Sequence, residues 1–204
     1  VIDLEINALK ILKKSVNNNF DKSVNMIVNC QSKIILCGVG KSGLIAAKIA
    51  STLSSVGSPA FSLSANDCLH GDLGSITRKD VLILISNSGK SQEIIPIIKF
   101  ANRNKIRLIG IVSRKNSFLY KGSDIKILLP EVKESGLGVV PTSSTSIQLA
   151  IGDALAIASL KKKQFSKYDF SRLHPGGNLG KQLKTVEDVM ASGAKIPFIN
   201  ENKK

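Results

Sequence analysis

Apolar residues in the first thirty positions recur at helical spacing: Leu4, Ile6, Leu9, Ile11, Leu12 and Val16, then Val24, Met26 and Ile27. The pattern predicts two amphipathic helices separated at Asn17-Asn18-Asn19. The period then changes. Lys33–Cys37 opens a series of short apolar runs, followed by Ser58–Leu63, Val81–Ile85, Arg107–Val112 and Asp124–Leu129. Their lengths, and the polar or Gly-containing segments between them, predict strands. Helical patterns lie between them, one running from the Gly38–Gly43 turn to about Val56 and one from Ser91 to Asn102. A longer stretch, Ser143–Leu160, is apolar on nearly every face and predicts a central helix. Strands alternating with helices give an α/β fold, a three-layer sandwich with a five-stranded parallel sheet flanked by helices and joined by right-handed crossovers. Ligands of such sheets bind outside the carboxyl ends of the strands.

At 204 residues and 43% hydrophobic composition the chain can bury one good core. No apolar run approaches a membrane span and no secretory signal opens the sequence, so no membrane partner is expected. Cys30, Cys37 and Cys68 are odd in number and lack CxxC spacing, which predicts reduced thiols and a cytoplasmic setting. The net charge of +14 raises nucleic acid as a partner. The lysines are scattered, however, the Lys161–Lys163 run ends a helix, and basic and aromatic residues do not interleave. A small anionic substrate is the better use of the field, with no nucleic acid. From Val186 the text never closes into a unit and is expected to open a further domain; the sequence also lacks an initiator Met and reads as trimmed. The expected boundaries are one domain over 1–185 and a tail over 186–204.

The densest candidate chemistry follows the third strand, in Ser86-Asn87-Ser88-Gly89-Lys90-Ser91. A buried strand ending in a hydroxyl-rich turn that opens a helix presents free amides at the positive end of the dipole. That suits a phosphate dianion. Gly38-x-Gly-x-x-Gly43 follows the first strand, yet the acidic residue a dinucleotide site needs at the end of the second strand is missing. The P-loop reading fails too, because Ile35 stands where its first glycine belongs. What remains is a turn bringing backbone near an anion, with Lys41 beside it. His70 and His174, the only histidines, each stand near glycines and can move protons. Two distant histidines without a cysteine pair do not make a metal site, and neither metal nor cofactor is expected. Glu93 falls in the first turn of the predicted helix, Glu134 in a loop past the fifth strand, and Asp153 inside the apolar helix, where a buried structural hydrogen bond is expected.

The succession GVGKSG, HGDLG, SNSGKSQE, PTSST, GDALA and HPGGNLG is similar to the sugar-isomerase (SIS) domain family, and within it to the D-arabinose 5-phosphate isomerases, over about Val1 to Met190. The resemblance implies the SIS fold with a flavodoxin-like strand order. It implies interconversion of D-ribulose 5-phosphate and D-arabinose 5-phosphate for 3-deoxy-D-manno-octulosonate and lipopolysaccharide synthesis, a homotetramer with shared pockets, and a CBS pair beginning near Val186. Carried over by position, Lys41, Glu93, Glu134 and His174 are catalytic. Gly57, Ser58, His70 and the turn residues Ser86, Asn87, Ser88, Gly89 and Ser91 contact substrate. The chain departs from the family pattern at Lys90, often glutamate, and at Ser64, the place of a zinc-associated histidine. Aldose–ketose isomerisation needs a base near carbon and a donor near oxygen. Alternatives are a non-catalytic sugar-phosphate-binding module, an isomerase of a hexose or heptose phosphate, and a nucleotide-binding oxidoreductase.

Overall fold

The computed structural model describes residues 1–175 and 186–197. Five strands, β1 (Ile34–Gly38), β2 (Ala60–Ser64), β3 (Val81–Ile85), β4 (Arg107–Val112) and β5 (Ile125–Leu128), form one sheet in the order β2-β1-β3-β4-β5. Every pairing is parallel. The chain winds outward from β1 in one direction and resumes at β3 on the other side, so the β1/β3 boundary is the topological switch point.

Side chains alternate across the pleat and feed two separate cores. Ile34, Leu36, Val81, Ile83, Ile85, Ile109 and Ile111 face one layer; Ile35, Cys37, Leu82, Leu84, Leu108 and Val112 face the other. Both faces of β1 and β3 are fully buried, which is why those runs are continuously apolar rather than alternating. The first layer holds α1 (Ile2–Ser15), α2 (Asn18–Val28), α3 (Lys41–Ser55) and α7 (Ser143–Lys162). The second holds α4 (Ala65–Cys68), α5 (Ile94–Arg103) and α6 (Phe118–Gly122). The break between α1 and α2 falls at Asn17, whose side chain accepts from the Asn19 amide at 2.9 Å and caps α2. Helix α7 is central as its composition implies, packing on α1, α2 and α3. Gly152 lets α3 approach it: a Cβ there would stand 2.2 Å from Ile49 Cδ1.

Two element starts differ from the sequence reading by two residues or more. β2 starts at Ala60, two residues late, because Pro59 has no amide and enters only through its carbonyl, which accepts from Ile34 at 2.8 Å. Helix α5 starts at Ile94, so Ser91-Gln92-Glu93 belong to the turn. The short helices α4 and α6 carry too few residues to show a period. Asp153 is also not buried: it sits on the outer side of α7 in an exposed ion pair with Lys48 at 2.5 Å.

Val1–Phe165 forms one compact unit and Ser166–Lys204 a second. In the latter, α8 (Lys167–Leu173) begins with a capping box in which Ser166 and Asp169 exchange hydrogen bonds, and a helical turn spans Val186–Val189. The Gly176–Gly180 part of the HPGGNLG motif lies outside the described residues. Among the described residues no helix is long and apolar enough to cross a membrane.

Candidate anion-binding site at the switch point

Register places Gly38 of β1 opposite Ile85 of β3, so the chain leaves both strands side by side. Gly38 is needed for the β1 turn to close, since a Cβ would lie 2.8 Å from the Ser42 carbonyl carbon and oxygen. Lys41 follows as the first residue of α3, exposed at the end of the helix where a cation opposes the dipole.

Across from it, Ser86 is buried and its amide donates to Ile111 at 3.1 Å, still in ladder fashion. The chain then bends. The Gly89 amide donates to Ser86 Oγ at 3.0 Å and the Lys90 amide to Ser88 Oγ at 3.3 Å; Ser86 and Ser91 hydroxyls stand 3.4 Å apart. Gly89 has φ +64, and a Cβ would meet Ser117 Oγ at 2.5 Å and Val112 Cγ2 at 2.6 Å. Its carbonyl accepts from Leu119 at 3.1 Å, which clips the turn to α6. The amides of Asn87, Ser88, Ser91, Gln92 and Glu93 donate to no protein acceptor among the described residues. Five free N–H groups in one turn, at the start of a ten-residue helix, make this turn the candidate cradle for an anion.

The candidate carboxylates differ in their commitments. Glu93 is the N-cap residue of α5, half-buried, and its side chain makes no capping hydrogen bond. Glu134 is not a solvated loop charge. It accepts from the Thr142 amide at 2.9 Å, Thr142 Oγ1 at 3.2 Å and the Ser144 amide at 3.2 Å, at the start of α7. Burial acts to raise its pKa; the donors from Ser144 and Thr142 outweigh that and hold it below the ordinary glutamate value. Glu134 therefore serves as an ionised helix cap.

The remaining predicted residues do not all converge. Gly57 and Ser58 precede β2, so in a parallel sheet they lie at the amino edge, opposite the turn. Ser58 is fully buried, and Lys163 Nζ donates to its Oγ at 2.8 Å and to the Gly57 carbonyl at 3.0 Å. His70 is exposed in the segment after α4, on the carboxyl side of β2. Ser64 caps α4, accepting from the Asp67 amide at 3.4 Å. His174, in the second unit, stacks on Phe170 at 3.9 Å between ring centroids. Its Nδ1 lies 2.8 Å from the Phe170 carbonyl; a carbonyl only accepts, so Nδ1 carries the proton and Nε2 is left as the basic nitrogen.

Sequence reasoning missed the supports of the turn. Ser113 Oγ donates to Asn87 Oδ1 at 2.6 Å, and its amide donates to the Asn87 carbonyl at 3.1 Å. Its place directly after β4 was the available signal, since strand carboxyl ends carry sites. Ser117, which caps α6 and donates to the Arg114 carbonyl at 2.7 Å, gave no comparable signal.

A doubly wound parallel sheet with unpartnered amides at its switch point places this chain among the α/β proteins whose ligands sit at the carboxyl ends of the strands. The family described as SIS domain matches residues 26–158, and the chain belongs to it. It is 44% identical over 201 residues to the arabinose 5-phosphate isomerase KdsD of Francisella tularensis, covering 96% of this chain and 62% of the relative. It is 41% identical over 202 residues to the KdsD of Yersinia pestis, covering 98% and 62%. An Escherichia coli CFT073 protein solved in complex with arabinose 5-phosphate superposes with a TM-score of 0.82 at 35% identity, over 85% of this chain and 93% of that one. The chain thus spans 62% of the length of these curated relatives.

Proposed function

We propose that this chain binds a pentose 5-phosphate through the Ser86–Ser91 turn and interconverts D-ribulose 5-phosphate and D-arabinose 5-phosphate. The observation that carries this reading is the set of amides of Asn87, Ser88, Ser91, Gln92 and Glu93, which donate to no protein acceptor among the described residues. The ester end is held there by N–H groups and serine hydroxyls. The sugar's reactive carbons then extend over the switch point toward the residues that follow β1 and β3.

The reaction moves a proton between C1 and C2 through an enediolate. Glu93, with no capping bond to give up, is the base that takes the carbon proton. Lys41, exposed at the start of α3 directly after the β1 turn, stabilises the oxygen that gains charge. Glu134, already engaged by three donors, keeps α7 and its loop in place and acts on the substrate only if that cap opens. His174, with Nε2 free to accept, moves the proton between oxygens or opens the sugar ring. Relatives named for the same sugar phosphate support the choice of substrate. The product would feed 3-deoxy-D-manno-octulosonate and lipopolysaccharide synthesis in the cytoplasm. Gly57 and Ser58, at the far edge of the sheet, serve a ligand only from another subunit, in keeping with a homotetramer; light scattering should give a mass several times 21.8 kDa.

Incubation with D-ribulose 5-phosphate and identification of the sugar formed tests the reading. Arabinose 5-phosphate is expected. Binding without conversion would make the chain a sugar-phosphate sensor, and conversion of only a six- or seven-carbon phosphate would reassign the substrate.

A further inference from the structure

On the β4 side of the turn the carboxyl ends of β4 and β5 open into two adjoining clefts of about 490 and 290 Å3. They share Ser113, Arg114 and Glu131. Lys90 of the turn lines the larger cleft and Asn87 the smaller, so both are continuous with the amide cradle. Their charge is lopsided: Lys90, Arg114, Lys115 and Lys133 stand against Glu131 alone. Glu131 pairs with Arg114, and among the described residues Lys90, Lys115 and Lys133 have no carboxylate within ion-pair distance. Cations converging on a concave surface raise the local concentration of anions, and Arg114 still has donors beyond those facing Glu131.

We infer that the larger cleft is a second anion subsite, and that the chain takes a diphosphate group across the two. This rests on the cradle being the phosphate seat. One phosphoryl group occupies the free amides of Asn87, Ser88, Ser91, Gln92 and Glu93. The second, joined through a single bridging oxygen, enters the cleft that Lys90, Arg114 and Lys115 line. A pentose monophosphate leaves the second subsite to water, so a diphosphate-bearing ligand competes with it from a stronger foothold and acts as an inhibitor or regulator. The ligand class is an organic or inorganic diphosphate; the cleft's apolar back wall, Leu128 to Pro130, gives room for whatever the diphosphate carries.

Calorimetric titrations of the full chain with inorganic phosphate and inorganic pyrophosphate, at matched ionic strength, test this. Pyrophosphate should bind at least about tenfold more tightly than phosphate. Lys115→Glu should cut that ratio to about threefold or less while phosphate affinity changes by less than about twofold, because only the second phosphoryl group meets Lys115. Lys10→Glu, the same charge change on exposed α1, should leave the ratio intact, which separates the cleft from net charge. A pyrophosphate preference below threefold in the wild type, or one equally reduced by both variants, overturns the second subsite alone. Absence of phosphate binding overturns the cradle as well.

Discussion

The Glu134 carboxylate accepts the Thr142 amide at 2.9 Å across a loop of seven intervening residues, fastening the segment after β5 to the first turn of α7. The anionic side chain sits where the helix dipole favours it. Because the folded pKa is lowered, its stabilisation is present above the unfolded glutamate value of about 4.3 and is lost as pH falls through the folded value. Glu134→Ala should cost about 1 kcal/mol at neutral pH, the usual worth of a cap. Melting curves of wild type and Glu134→Gln should differ at pH 7 and converge as pH drops below about 4. A constant difference down to pH 3 would contradict the capping role.

The two glutamates should separate kinetically. Glu93→Gln should lower kcat on ribulose 5-phosphate by about 100-fold or more with melting temperature unchanged, as expected for a lost general base. Glu134→Gln should act mainly on stability at neutral pH. The reverse pattern in paired kinetics and melts would exchange their roles.

Gly89→Ala should damage the cradle and the fold together. The new methyl would need a left-handed φ and would collide with Ser117 and Val112. Strain and overpacking of this kind cost about 1–3 kcal/mol each. Sugar-phosphate affinity should fall at least about tenfold in the surviving folded fraction. Wild-type affinity measured by titration would show that the turn does not hold the ligand.

How much of this was legible in the sequence follows from burial and chain distance. β1, β3 and β4 are buried on both sides, so unbroken apolar runs such as Val81–Ile85 marked their bounds. The switch-point loops were legible because Ser86–Ser91 and Gly38–Lys41 directly follow such runs. The Glu134–Thr142 tie was not, since nothing in a loop sequence says which carboxylate will fold back onto which amide. Asp153 was misread for a related reason: α7 is apolar nearly all round, so its composition hides the narrow outer strip on which Asp153 meets Lys48. α4 and α6, at four and five residues, hold little more than one turn and cannot show a helical period.

At the amino edge of the sheet, Asp80 has a fully buried side chain and accepts from the Thr77 amide at 2.6 Å and from Lys33 Nζ at 3.0 Å. Burial acts to raise its pKa, and the hydrogen bonds from Thr77, Ser32 and Lys33 overcome that and bring it to about 2. A depressed folded pKa stabilises above the unfolded value of about 3.9, and the contribution disappears as pH falls through about 2. Asp80→Asn should therefore cost about 2 kcal/mol at pH 7 and much less near pH 2. Urea melts at the two pH values check the sign.

The seat of the phosphate is open to an amide-resolved test, an NMR titration of the chain with D-ribulose 5-phosphate. The largest shifts should fall on the backbone amides of Asn87, Ser88, Ser91, Gln92 and Glu93 and should saturate with a common affinity. Saturable binding that leaves these five amides unmoved, with its shifts elsewhere on the chain, would contradict the account.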